Sequence, residues 1–210
     1  MPIRKGANGL LSDLELIENI REGDLSAFET LVLAHQDRVY GLCLRMCGNR
    51  EDAFDLSQEI FLRVFRSLKN FKGDSTFSTW LYRLSTNVCL DHLRRTLKRR
   101  AILQMELNAA ELAECTDDRF APEKAWDHIE LRESIAQALT QLTPEHRAII
   151  ILRDIHQLSY IQISEVLDCG EGTVKSRLFR AREALRKVIS REGNLLKKPT
   201  SKKDGRGLAP

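Results

Sequence analysis

Lys175, Ser176, Phe179 and Arg180 share one side of a segment whose apolar positions recur at helical spacing. Counted at about 100° per residue from Val174, the side chains of Leu178, Ala181, Leu185 and Val188 stay within about 40° of it and form a stripe for burial. Phe179 falls elsewhere, near the middle of a basic face where a solvated helix ordinarily carries Glu, Lys or Gln. A ring among cations suits duplex DNA: it can touch a thymine methyl or a sugar while Lys and Arg meet phosphates and base edges. The competing reading packs the ring on another side of a helical bundle. Arg177 lies at the edge of the stripe, where it can join the DNA surface or pair with the backbone.

A second group is Trp80, Arg83, Asn87, Arg94 and Lys98. On the same count they fall within about 60° of one another, as a shoulder beside a buried stripe. Asp91 sits at its edge and interrupts a purely cationic track. Phe71 comes from the loop before this helix. Rings, an amide and several bases on one surface suit a single strand: bases stack on the rings, the amide reads a base edge and the cations hold phosphates. Core packing is the competing reading for Trp80. A third group, Asp55, Gln58 and Glu59, points away from the stripe of Ala53, Leu56, Ile60 and Val64 and is expected to face solvent.

No group has the makings of catalysis. The sequence offers no paired carboxylates in a plausible pocket, no Gly-rich phosphate loop and no metal-ligand set. Cysteines stand at 43, 47, 89, 115 and 169. An odd number without framework spacing is expected to stay reduced. Cys43 and Cys47 can share a helix face with His35 two turns earlier, but they fall short of a ligand set and suit core packing. The chain is therefore expected to be no enzyme and to hold no cofactor or metal.

The elements that position these groups are helices. Ser12 and Glu15 form a possible capping box ahead of Leu16, Ile17 and Ile20, and Gly23 closes that helix. A second runs from about Asp24 to Cys47, with Phe28, Leu31, Val32, His35, Val39, Leu42 and Met46 inward. Gly48 stops it and Asn49 caps a third, which carries the Ala53–Val64 stripe. The turn over residues 71–75 leads to Ser75 or Thr76 as the cap of a long fourth helix with Phe77, Leu81, Leu84 and Val88 inward. Residues 101–127 read as an acidic connector with a short helix near Ala101–Leu112. Beyond it, Thr143 and Pro144 make an N-cap and first helical position. Ser159 caps a short helix with Ile161, Ile163, Val166 and Leu167, a tight turn covers residues 168–172, and the last helix starts near Thr173. Two helices joined by a short Gly-containing turn make a helix-turn-helix signature. The predicted fold is all-α: an N-terminal helical bundle over 12–100, a flexible linker over 101–127, a helix-turn-helix bundle over 128–192 and a disordered basic tail over 193–210.

Charge follows the same division. Net charge is only +3, but residues 94–100 hold five bases and no acid, residues 101–123 hold six acids against Arg119, and residues 173–191 hold seven bases against Glu183. Two basic segments separated by an acidic one suggest two contacts with a polyanion. No segment approaches the roughly 20 apolar residues of a membrane span, and the first residues lack the apolar core of a signal peptide. A cytoplasmic protein without membrane insertion is expected. One half thus suits duplex DNA and the other a melted strand, and initiating transcription is the leading job that needs both. An ordinary helix-turn-helix regulator with a helical sensing domain would explain the C-terminal half alone.

The run DLSQEIFLRVFRSLKNFKGDSTFSTWLYRLSTNVCLDHLRR, from Asp55, resembles region 2 of the extracytoplasmic-function group of bacterial RNA polymerase sigma factors. The run LTPEHRAIIILRDIHQLSYIQISEVLDCGEGTVKSRLFRAREAL, from Leu142, resembles their region 4. The resemblance covers most of residues 12–190. It implies a subunit that binds core polymerase through the β′ coiled coil and the β subunit, recognises the −35 and −10 promoter elements and promotes melting. By position, Asp55, Gln58 and Glu59 match the segment that docks on β′. Phe71 and Asn87 match positions that handle the flipped base of the −10 element, and Trp80, Arg83, Arg94 and Lys98 lie on the same melted-strand surface. Lys175, Ser176, Phe179 and Arg180 match −35 contacts, with Arg177 among them. It further implies an anti-sigma partner covering both domains. The basic tail departs from the simplest family pattern.

Overall fold

The computed structural model describes residues 11–108 and 127–196, with side chains described over 11–104 and 134–191. All regular structure among them is helical. α1 (Asp13–Arg21), α2 (Leu25–Cys47), α3 (Arg50–Ser67) and the first half of α4 (Phe77–Asn108) form one bundle, with a 3₁₀ turn over Leu68–Asn70. α5 (Asp127–Thr140), α6 (Pro144–Ile150), a π turn over Ile151–Ile155, α7 (Tyr160–Leu167) and α8 (Glu171–Leu196) form the other.

Local chemistry sets most boundaries. Ser12 and Glu15 form a reciprocal capping box, with the Ser12 amide donating to Glu15 Oε2 at 2.7 Å. These bonds to Ser12 hold the Glu15 carboxyl below its ordinary pKa. Asp24 accepts from the amides of Ser26 and Ala27 at the start of α2. Gly48 ends α2 in the left-handed region at φ +84°. It also meets a neighbour closely: a Cβ there would lie 2.7 Å from Thr140 Cγ2. A side chain at 48 thus faces both backbone strain and a clash.

α2 is the central helix of the first bundle and packs on α1, α3 and α4. Leu42, Met46, Ile60 and Val64 are fully buried between them, each contributing about 1.5–3 kcal/mol through removal from water. In the second bundle α8 packs on α6 and α7, with Ile149, Ile151, Leu152, Ile163 and Val174 enclosed.

Three boundaries differ from the sequence expectation. α4 continues through Asn108, so the helix expected near Ala101–Leu112 is, as far as it is described, the end of α4. No Gly or Pro interrupts residues 74–121, and Ala101–Asn108 are mostly good helix formers. α8 begins at Glu171 rather than near Thr173: Asp168, at φ 49°, makes the left-handed turn, so Gly172 is free to enter the helix while Gly170 stands just before it. α8 also runs to Leu196, into the segment expected to be disordered. Residues 109–126 of the connector, with Cys115, and residues 197–210 of the tail lie outside the described residues.

The bundles pack against each other. α4 lies on α6 and α7, and α2 on α5, α6 and the π turn. A sequence divided into two contact modules joined by a connector does not suggest this.

Candidate nucleic-acid interface

α7 and α8 build the helix-turn-helix. Ser159 and Gln162 form a second capping box: the Gln162 amide donates to Ser159 Oγ at 3.2 Å and the Ser159 amide to Gln162 Oε1 at 2.9 Å. The amides of Thr173 and Val174 both donate to the Gly170 carbonyl, at 2.9 and 3.1 Å, fixing the entry to α8. Val174, Leu178 and Ala181 are then buried. Phe179 is 69% exposed, which rules out a core ring. Lys175, Ser176 and Arg180 are exposed beside it, and Arg177 is half-buried at the stripe edge.

The cations of α8 differ in their freedom. Arg182 makes a bidentate pair with Asp154, its Nε 3.1 Å from Oδ2. The hydrogen bonds it donates to Asp154 raise the Arg182 pKa further. Arg186 pairs with Glu183 at 2.7 Å. Lys175 and Arg180 have no ion pair among the described residues. The Lys175 ammonium stands 5.6 Å from the centre of the Tyr160 ring, which also carries Arg153 at 4.8 Å. This leaves two cations without an ion pair among the described residues flanking an exposed ring on the solvent face of α8.

On α4, Arg83, Asn87, Arg94 and Lys98 are all exposed, as their helical spacing predicts. Thr76 is the cap, its Oγ1 accepting from the Thr79 amide at 3.2 Å. Arg94 lies between Asp91, at 3.6 Å, and Glu145 of the second bundle, at 3.2 Å. Phe71 departs from expectation: it is buried, with 5% of its surface exposed. Its ring packs against Phe77 and Trp80, with centroids 6.0 and 5.4 Å away, while Arg21 donates to the Phe71 and Leu68 carbonyls and pins the loop. An apolar ring beside the first turn of α4 gains more from that pocket than from water. Phe71 therefore offers no free stacking face here, whereas half-buried Trp80 offers part of one.

On α3, Asp55 and Gln58 are exposed, and the half-exposed Glu59 pairs with Arg63 at 2.5 Å. Sequence reasoning missed their apolar neighbours: Phe54, Leu62 and Phe65 are exposed on the same side of the helix. The helical count used for the acids would have found them, since all three lie off the buried stripe. Phe65 also stands edge-on to Phe28, with centroids 4.9 Å apart.

Polar groups between the bundles were missed as well. Arg147 is 5% exposed. Its guanidinium donates to the Met46 carbonyl of the first bundle and to the Thr140 and Leu142 carbonyls of its own. Burial lowers its pKa from the ordinary arginine value. Tyr82 Oη lies 2.9 Å from His156 Nδ1. Burial, followed by the charges of Arg45 and Arg38, lowers the His156 pKa to about 4, and burial raises that of Tyr82. Cys43 and Cys89 are both buried, with Sγ atoms 3.7 Å apart. Contact with Cys43 pushes the Cys89 thiol well above its ordinary pKa.

Comparison with known proteins agrees with this architecture. The family model "Sigma-70 region 2" matches residues 31–100 and "Sigma-70, region 4" matches residues 132–185. The RNA polymerase sigma-H factor of Pseudomonas aeruginosa is 38% identical over 180 residues, covering 84% of this chain and 93% of the relative. The ECF RNA polymerase sigma factor SigW of Bacillus subtilis is 38% identical over 177 residues, covering 82% and 94%. The sigma factor RpoE of Bartonella quintana, solved with the anti-sigma factor NepR, shares the fold at a TM-score of 0.58 and 22% identity, covering 79% of this chain and 98% of that one.

A helix-turn-helix bundle joined to a second bundle with an exposed basic shoulder, matching both sigma regions in order, defines an RNA polymerase sigma factor. The chain belongs to the ECF group of that family. The region 2 match gives the N-terminal bundle a place that a regulator's sensing domain would not have.

Proposed function

We propose that the chain binds core RNA polymerase through α3, reads the −35 element with the N-terminal turns of α8, and engages the melted −10 strand along α4. The carrying observation is Phe179, exposed between Lys175 and Arg180, which form no ion pair among the described residues. In a major groove, Arg180 has the geometry for a base edge, Phe179 for a thymine methyl, and Lys175 for phosphate. Ser176 Oγ donates to the Thr173 carbonyl at 3.1 Å, which leaves its lone pairs to accept from a base.

Along α4, Asn87 offers both donor and acceptor to a flipped base, and Arg83, Arg94 and Lys98 continue the track as phosphate contacts. Trp80 supplies a stacking edge. Phe71 serves this site from behind, by holding Trp80 in place. On α3, Asp55, Gln58 and Glu59 around exposed Leu62 combine charge with apolar area, as a protein-docking face requires. The β′ coiled coil and the β subunit are the proposed polymerase contacts. The working units are residues 12–100 and 128–192, with 101–127 crossing between them and 193–210 as a basic tail. A cytoplasmic location follows from the partner; among the described residues no helix is long and apolar enough to cross a membrane. An anti-sigma factor is a further proposed partner, as RpoE has in NepR.

Reconstituted holoenzyme tests the reading by run-off transcription on a duplex promoter and on one pre-melted across the −10 region. Wild type should initiate on both. Asn87→Ala should form closed complexes and fail selectively on duplex, with part of the loss restored by pre-melting. Equal loss on both templates would remove Asn87 from melting, and no initiation by wild type would overturn the assignment.

A further inference from the structure

We propose that Cys43, Cys47 and Cys89 form a peroxide-responsive thiol site that reversibly staples α2 to α4. None of the three lies on the proposed DNA or polymerase surfaces. Cys43 and Cys47 stand one turn apart on α2, and Cys89 meets both from α4. The Sγ atoms of Cys43 and Cys89 are 3.7 Å apart, close enough that small side-chain movements bring them into bonding range. Thiols are common as small core groups, and packing alone explains Cys43 and Cys89, both fully buried. It does not explain a third thiol that meets the same sulfur and reaches solvent: Cys47 is only half-buried. Arg147, whose guanidinium donates to the Met46 carbonyl, lies within electrostatic reach of the Cys47 thiol. A cation there steadies the negative charge that sulfur carries when it attacks an oxidant.

These environments give the three thiols different roles. Contact with Cys43, then with Cys47, pushes the Cys89 thiol well above its ordinary pKa, so Cys89 keeps its proton as well as being enclosed. Cys47 is the thiol that an oxidant reaches first, and the oxidant is a hydroperoxide. The Cys47 sulfur takes its terminal oxygen, the O–O bond breaks, and the other oxygen departs with the thiol proton as an alcohol (water, from hydrogen peroxide). The product is a sulfenic acid. Cys89 then attacks Cys47 Sγ, the S–O bond breaks, and hydroxide leaves with the Cys89 proton as water. Two thiols have given up two electrons, and the hydroperoxide has accepted them. Cys43 completes the reaction by exchange: its sulfur attacks Cys89 Sγ, one S–S bond replaces another, and Cys47 departs as a thiol with the Cys43 proton. The bridge left behind joins residues 46 positions apart in the chain. Reduction by a dithiol retraces the path through Cys47.

Full-length protein treated with hydrogen peroxide, alkylated and digested with trypsin without reduction tests this. Cleavage after Arg45 separates Cys43 from Cys47, and cleavage after Arg83 isolates Cys89 from both, so mass spectrometry identifies the bridge directly. Wild type should yield a Cys43–Cys89 bridge that dithiothreitol removes. The bridged protein should melt at a higher temperature than the reduced one, because the cross-link restricts the unfolded chain. Cys47→Ala, at a half-buried position, should keep its helix content and form the bridge about tenfold more slowly or worse. Cys43→Ala should stop the reaction at a Cys47–Cys89 bridge; if that variant loses its helix content, the rate in Cys47→Ala decides. Oxygen adducts on separate thiols in place of a bridge to Cys89, bridging equally fast without Cys47, or a lower melting temperature after bridging would each overturn the proposal.

Discussion

Phe179 separates recognition from packing more sharply than any other residue. A ring 69% exposed contributes little to the core, so Phe179→Ala should leave the melting temperature near wild type. It should nonetheless weaken promoter binding by about 1–3 kcal/mol if the ring meets a base edge. Lys175→Ala, which would remove only the proposed phosphate contact, should cost less and act evenly across promoter sequences; binding to point-mutated promoters distinguishes the two. His156 provides a pH dependence of definite sign. Its pKa is about 4 in the folded protein, where burial comes first and Arg45 and Arg38 further oppose its charging. Unfolded, it returns to about 6.5. The folded state therefore has this contribution in full above about 6.5 and loses it as pH falls towards 4. Thermal melting across that range should show stability falling on acidification, and His156→Gln, which cannot titrate, should flatten the response.

At the scale of the helix, α3 shows how one element serves two surfaces. Ala53, Leu56, Ile60 and Val64 are buried, while Asp55, Gln58, Leu62 and Phe54 face out. The Glu59–Arg63 pair is exposed and spaced by four residues, so it adds little to stability. Asp55→Ala with Glu59→Ala should accordingly shift unfolding free energy by no more than about 0.5 kcal/mol. Core-polymerase affinity should fall, and its decline with added salt should become shallower. A salt series with melting curves alongside checks both; unchanged binding at every salt concentration would take these acids out of the interface. α4 has a comparable division along its length. Up to Leu93 its inward positions are buried in the bundle, whereas Leu97, Ile102 and Leu103 beyond it are exposed.

For the molecule as a whole, what could be read in advance was what short-range chemistry decides. Ser12 with Glu15, Asn49, Thr143 with Pro144, and Ser159 each carry their boundary within three or four residues. The face of α8 followed from spacing alone. The burial of the Phe71 ring was not legible because a loop aromatic has the same type and position whether its ring is free or packed; only the placement of Phe77, Trp80 and Arg21 decides. Arg147 gave no signal because its burial depends on a carbonyl 101 residues away in the chain. That long-range seam bears on how the protein melts. The buried residues of both bundles, from Leu16 to Ala181, belong to one continuous apolar cluster. Domains joined this way lose their independence as cooperative units. Differential scanning calorimetry should thus record a single endotherm for wild type, with calorimetric and van't Hoff enthalpies in agreement. In Tyr82→Phe with Glu145→Lys the endotherm should split in two, with the bundle of lower intrinsic stability melting first.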